Sequence, residues 1–149
     1  YLRARTGDGA LALVDFRPLM GGFGKETLLF TVQGRSLHGE FVIRRDQPLE
    51  LVPGACHQVV KEYEVIKAVR AARFPAPEAL WLERGDPIVP GPDFIVMRRS
   101  AGRPPGTLVG ASGAIDPALN DELGWTMGKL HSLPPLLELR ALTESIRRD

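Results

Sequence analysis

The chain has 149 residues, 44% of them hydrophobic and 25% charged, with a formal charge of +1. That is apolar enough for one domain with a real core, and too balanced in charge for a polyanion-binding surface. The arginines are scattered, in short pairs such as Arg44-Arg45 and Arg98-Arg99, where a nucleic-acid binder presents a basic face.

Along the chain, Ala10 to Leu19 alternates as a strand that Pro18 and the following glycines end. Thr27 to Gln33 is β-branched and aromatic, a second strand. Gly34-Arg35-Ser36 reads as a turn, and Leu37 to Arg44, "LHGEFVIR", as a third strand. Links this short cannot make parallel crossovers, so the three strands form an antiparallel meander. A helix follows over Ala55 to Arg73, with Val59, Tyr63, Ile66 and Val69 on one face. Phe74-Pro75-Ala76-Pro77 blocks its continuation. Short strands are expected at Glu78 to Glu83 and at Phe94 to Arg98, joined by the hairpin-like loop "RGDPIVPGPD".

After Arg99 the composition turns to Gly, Pro and Ser. Asp116-Pro117 is a helix start, a capping Asp with Pro in the first turn. It leads into Pro117 to Ser132, with a stripe of Leu119, Leu123, Met127 and Leu130. Pro134-Pro135 breaks that helix, and Leu136 begins another. The expected class is α+β: an antiparallel sheet with one helix, then the first helices of a second lobe. The expected division is 1–99 for the sheet lobe, 100–115 for a hinge and linker, and 116–149 for the start of the helical lobe.

No apolar run approaches the ~20 residues that span a bilayer, and the N-terminus has no signal-peptide pattern. Cys56 is the only cysteine, which excludes an internal disulfide and fits a reducing, cytoplasmic setting. The chain begins at Tyr1 rather than Met and ends at Arg147-Arg148-Asp149 within a helical pattern, so it reads as a fragment.

Two features point toward chemistry. Gly21, Gly22 and Gly24 lie in "RPLMGGFGKETLLFTVQG", between two expected strands. The stretch is not a Walker A loop, because Glu26 follows Gly24-Lys25 where a hydroxyl is needed and Leu19 stands five before Gly24. A glycine loop between antiparallel strands can instead lie over phosphates, as in protein kinases, although the full G-x-G-x-x-G pattern is absent. A plain hairpin turn would use the same glycines. The second feature is Glu62, which falls between Ile66 and Val69 on the apolar face of its helix. A carboxylate there is costly unless paired. Arg44, at the end of "FVIRR", is its plausible partner, and an edge position reaching solvent is the alternative.

In order, "LMGGFGKETLLFTV", "GEFVIRRDQP", "KEYEVIKAVRAARFPAPEALWLE", "DFIVMRRSAGRP" and "LGWTMGKLHSL" resemble the N-terminal half of the aminoglycoside-phosphotransferase and choline-kinase type of kinase, within the protein-kinase-like fold. The nearest likeness is to the branch related to the kinase-like domain of the acyl-CoA dehydrogenase 10 and 11 proteins. The resemblance implies that Gly21, Gly22 and Gly24 cover an ATP triphosphate, that Lys25 lies beside it, and that Arg44 and Glu62 form the strand–helix ion pair. It also implies that Met97 lines the adenine pocket and that the backbone of Arg98 and Ser100 meets the adenine edge. His131 would be structural.

The implied activity of the intact protein is transfer of the γ-phosphoryl of Mg-ATP to a hydroxyl of a small molecule, a hydroxyacyl type by the nearest branch. The family generally has Lys where this chain has Arg44, and Ser-Asn often follows the glycines where this chain has Lys25-Glu26. Its His-x-Asp and later Asp segments, which supply the base and the magnesium ligands, have no counterpart after His131. The fragment is therefore expected to lack catalytic residues and to be inactive alone. A kinase-like fold kept as a binding or regulatory module without transfer is the alternative from another class. An unrelated α+β interaction domain would leave Arg44 and Glu62 apart.

Overall fold

Successive side chains of β3 (Gly39–Asp46) enter two different surroundings, and this alternation organises the molecule. In the computed structural model, which describes residues 1–19, 24–47, 58–85, 88–102 and 116–134, β3 lies at the centre of a five-stranded antiparallel sheet. Its neighbours are β2 (Lys25–Gln33) on one side and β5 (Phe94–Arg98) on the other. Outside these lie β1 (Ala12–Leu19), paired with β2, and β4 (Ala79–Glu83), paired with β5. The order is therefore β1-β2-β3-β5-β4.

On one face Phe41 is fully buried with Phe30, Val32, Phe94 and Val96. The Phe30 and Phe41 rings stack at 5.4 Å. A one-turn helix, α1 (Leu2–Thr6), closes this side. Tyr1 meets Phe94 edge-on at 5.6 Å and its hydroxyl donates to Glu83 Oε1 at 2.8 Å. On the other face α2 (Val59–Ala71) packs Val59, Tyr63 and Ile66 against Val42, Ile95 and Met97. Glu64, on the opposite side of α2, is exposed.

The α+β class, the meander and the helix face at Val59, Tyr63 and Ile66 agree with the sequence reading; several limits differ. α1 had no expectation, because one turn is too short to show a period. Its only signal is Gly7, left-handed at φ 68, just beyond its end. β1 ends at Leu19 as expected and starts two residues late, at Ala12; Pro18 is accommodated because an edge strand can turn the imide away from its partner. β3 starts two residues late, at Gly39, whose φ of 111 delays entry, and continues to Asp46. α2 stops at Ala71, before Arg73 turns left-handed at φ 60. Its expected start at Ala55 lies outside the described residues, as do Leu136 onward and most of the expected 100–115 linker.

The third helix, α3 (Pro117–His131), begins as read, with Asp116 Oδ1 accepting the Ala118 N–H at 3.0 Å. Its stripe of Leu119, Leu123, Met127 and Leu130 is exposed, and the helix packs on none of the other described elements to an appreciable extent.

The β2–β3 turn is fastened to the N-terminal segment by Asp8. Its Oδ2 accepts from the Arg35 N–H at 2.6 Å, the Ser36 N–H at 3.1 Å and Ser36 Oγ at 3.2 Å. The backbone N–H of Ser36, with those of Arg35 and Ala10, holds the Asp8 carboxyl below its ordinary value. A depressed carboxylate pKa stabilises the fold above the unfolded-state value near 3.8 and loses that contribution as pH falls through the folded-state value. Asp8→Asn should therefore flatten the pH dependence of urea stability below about pH 4, and leave its slope above pH 5 unchanged. Gly34 must lack a side chain, because a Cβ there would stand 2.8 Å from Asp8 Oδ2 and 3.1 Å from Leu11. Gly34→Ala should cost about 1–3 kcal/mol in urea denaturation, through overpacking against a carboxylate that its hydrogen bonds hold in place.

Candidate functional site

The face that receives α2 also gathers the charged residues singled out in the sequence. Val42 and Arg44 share that face of β3, two residues apart. Met97 and Ile95 stand opposite them on β5, in the register pairs Val42↔Met97 and Arg44↔Ile95. Glu62 lies in the first turn of α2, where a carboxylate is favoured by the helix dipole. Its Oε1 is 3.0 Å from Arg44 Nε, with the two side chains 26% and 37% exposed. Strand cation and helix anion thus meet, as the misplaced Glu62 requires.

The contact is an ion pair by distance but not an aligned hydrogen bond. Arg44 Nε is buried and has no hydrogen-bond acceptor among the described residues. A buried donor without an acceptor ordinarily costs about 1–3 kcal/mol, so natural proteins seldom keep one without cause.

Lys25 opens β2, paired in register with Asp46. Its ammonium forms an ion pair with the Asp46 carboxylate, and its side chain is 13% exposed, so it lies along the sheet. On the other face, Arg45 Nε donates to Glu26 Oε2 at 2.6 Å.

Gly24 is exposed, has no left-handed φ, and a Cβ there would meet nothing within 4 Å. Gly21 and Gly22 lie outside the described residues. Met97 is buried with Val59 and Ile95. At the end of β5 the Arg98 N–H donates to the Glu78 carbonyl at 2.9 Å, and the Arg99 N–H to that of Glu40 at 3.0 Å. A ligand at this edge would therefore meet the Arg98 carbonyl, because the N–H is engaged within the sheet. Ser100 follows, exposed. His131 closes α3, also exposed.

A cavity of about 560 Å³ lies on the opposite face, under α1, with Leu11, Leu13, Phe16 and Phe30 among its walls and Glu26 and Arg45 at its margin. None of the described candidate residues lines it. It is mainly an apolar hollow, and the Arg44–Glu62 pair is on the other side of the sheet. No group of three or more His, Cys, Asp or Glu that could hold a metal occurs among the described residues. No described helix is long and apolar enough to cross a membrane.

The residue that the sequence reading passed over is Asp46. Its position two after Arg44 places it on the same face, a signal available from strand alternation. Its contact with α2 could not be read, because residues 48–57 intervene.

Among curated proteins, the chain is 36% identical over 95 residues to "Acyl-CoA dehydrogenase family member 11" of Pongo abelii. The match covers 62% of this chain and 12% of that protein. No family model matches the chain, and no solved structure does. The five-stranded antiparallel sheet with α2 across one face is consistent with a kinase-like lobe at the level of general arrangement.

If Arg44 and Glu62 attract each other as placed, a double-mutant cycle of Arg44→Met and Glu62→Gln in urea unfolding should give a coupling of about 1 kcal/mol. The modest figure reflects an Arg44 side chain more than a third exposed, and added salt should reduce it. A coupling near zero would mean that the two charges share a neighbourhood without interacting.

Proposed function

We propose that this chain is a nucleotide-binding module with the arrangement of a protein-kinase-like N-lobe. The observation that supports it most is the Arg44–Glu62 pair, in which a helix carboxylate holds a strand guanidinium whose side chain stays 37% exposed. It lies on the sheet face next to the strand that leaves the glycine stretch. A guanidinium held this way by a helix carboxylate is a preformed partner for phosphate oxygens, which accept charge-assisted hydrogen bonds. Gly24 fits the same reading, because its missing side chain answers no packing demand of the fold and leaves the backbone open to approach.

In this reading Gly21, Gly22 and Gly24 cover the phosphates, Val42 and Met97 form the apolar floor, and the Arg98 carbonyl with the Ser100 backbone meets the base. ATP supplies the phosphates. Magnesium, which would bridge and neutralise them, takes its protein ligands from residues other than those described. The chain's own residues bind and orient the nucleotide, and none is assigned a proton transfer. Binding or regulation is thus the role proposed for the chain itself. In a longer protein that carried an Asp base and metal-binding carboxylates, the same lobe would serve a phosphotransferase acting on a small-molecule hydroxyl.

A titration with the fluorescent nucleotide mant-ATP, with and without magnesium, tests the proposal. Saturable binding that unlabelled ATP competes away is expected, with Arg44→Ala about 10- to 100-fold weaker through loss of charge-assisted contacts. Unchanged affinity in Arg44→Ala would remove Arg44 from the site, and no binding by the unsubstituted chain would remove the nucleotide reading altogether.

A further inference from the structure

Asp46 stands where three pieces of the candidate site meet. It ends β3, two residues beyond Arg44 and on the same face. Its carboxylate takes the ammonium of Lys25, the first residue of β2 after the glycine stretch. The same carboxylate accepts the backbone N–H of Val59, the first residue of α2, with both oxygens at 3.2 Å. Gln58, the residue in the local capping position, makes no side-chain cap bond. Asp46 therefore does across space what a neighbouring Ser, Thr, Asp or Asn ordinarily does at a helix start.

Three consequences follow from this geometry. An anion at the first turn is favoured by the helix dipole, and Lys25 offsets the cost of keeping that anion three-quarters buried. Glu62 comes three residues after Val59, one turn along the same helix, so whatever fixes the Val59 N–H fixes the height and rotation at which Glu62 reaches Arg44. Lys25, bound by the same carboxylate, is held down on the sheet and ties the strand leaving the glycine stretch to the start of α2. We propose that Asp46 is a positioning residue: it seats α2 so that Glu62 faces Arg44, with Lys25 as the counter-charge that makes the seat stable. This deepens, and rests on, the nucleotide-binding reading of the same face.

The experiment combines mant-ATP affinity with hydrogen exchange on the full chain. Asp46→Ala should bind about tenfold more weakly, the scale of losing a cap. Its Val59–Glu62 amides should exchange faster while those of β2 and β5 stay protected. Asp46→Asn, which keeps an acceptor for the Val59 N–H but loses the charge that answers Lys25, should recover part of the affinity and the protection. Because Asp46 acts through Glu62, adding Glu62→Gln to Asp46→Ala should weaken binding by no more than about twofold beyond the weaker single variant.

Full additivity, unchanged affinity in Asp46→Ala, or unchanged exchange at Val59–Glu62 would each overturn the proposal. Global loss of protection in Asp46→Ala moves the decision to Asp46→Asn, where protection lost at Val59–Glu62 despite an intact sheet overturns it and protection kept sustains it. If the unsubstituted chain binds no nucleotide, the functional reading fails separately, and the exchange at Val59–Glu62 still decides whether Asp46 seats the helix.

Discussion

The pleat of a single strand decides which charges meet. From Phe41 to Asp46, β3 sends Phe41, Ile43 and Arg45 to one face and Val42, Arg44 and Asp46 to the other. A one-residue slip would exchange the two sets. Arg44 and Arg45 are identical in chemistry, so composition alone cannot say which one faces α2. Two constraints fix the choice. Phe41 must enter the core with Phe30 and Phe94, and the cross-strand partners Glu26↔Arg45 and Lys25↔Asp46 bring opposite charges together in this register. The Arg44–Glu62 contact depends on both.

That dependence explains what was legible in the sequence. Glu62 betrayed itself because it interrupts an apolar face, and a charge in such a place demands a counter-charge; Arg44 was the nearest cation leaving the sheet. The meander was legible from its short links, and α2 from its period. The insertion of β5 between β3 and β4 was not, since short apolar runs such as "FIVMR" carry no label for their neighbour. Nor was α1, where tertiary contacts of Tyr1 and Arg5 with Glu83 hold a helix that has almost no local signal. The second strand was expected only from Thr27, after the glycine stretch; it begins at Lys25 and turns that ammonium onto Asp46.

The two faces of the sheet also separate two ways of looking for a site. The roomy hollow under α1 is mainly apolar, and its charged margin is already matched by Arg45 with Glu26. The face beneath α2 offers Arg44, a cation held by Glu62 and still more than a third exposed. Volume favours the first and chemistry the second. The nucleotide reading proposed above rests on the second, because phosphate recognition depends on oriented donors and a fixed charge. The likeness to part of an acyl-CoA dehydrogenase family member agrees with the branch that the sequence motifs resemble, over a segment that is a small share of that relative.

The position of β5 has a further consequence, for the order in which the chain assembles. β1, β2 and β3 pair with their sequence neighbours, so this half of the sheet closes over short distances. β5 reaches β3 only after α2 and β4 have been made, and Tyr1 then joins Glu83 across 82 positions. Long closures are entropically late and slow. The meander is thus the natural early structure, with its β3 edge unpaired until β5 arrives. During that interval Phe41 and Val42 border an open edge, the condition under which another chain's strand can take the place. On a ribosome, β5 emerges well after β3, so the exposed interval is set by synthesis as much as by the chain's own folding rate.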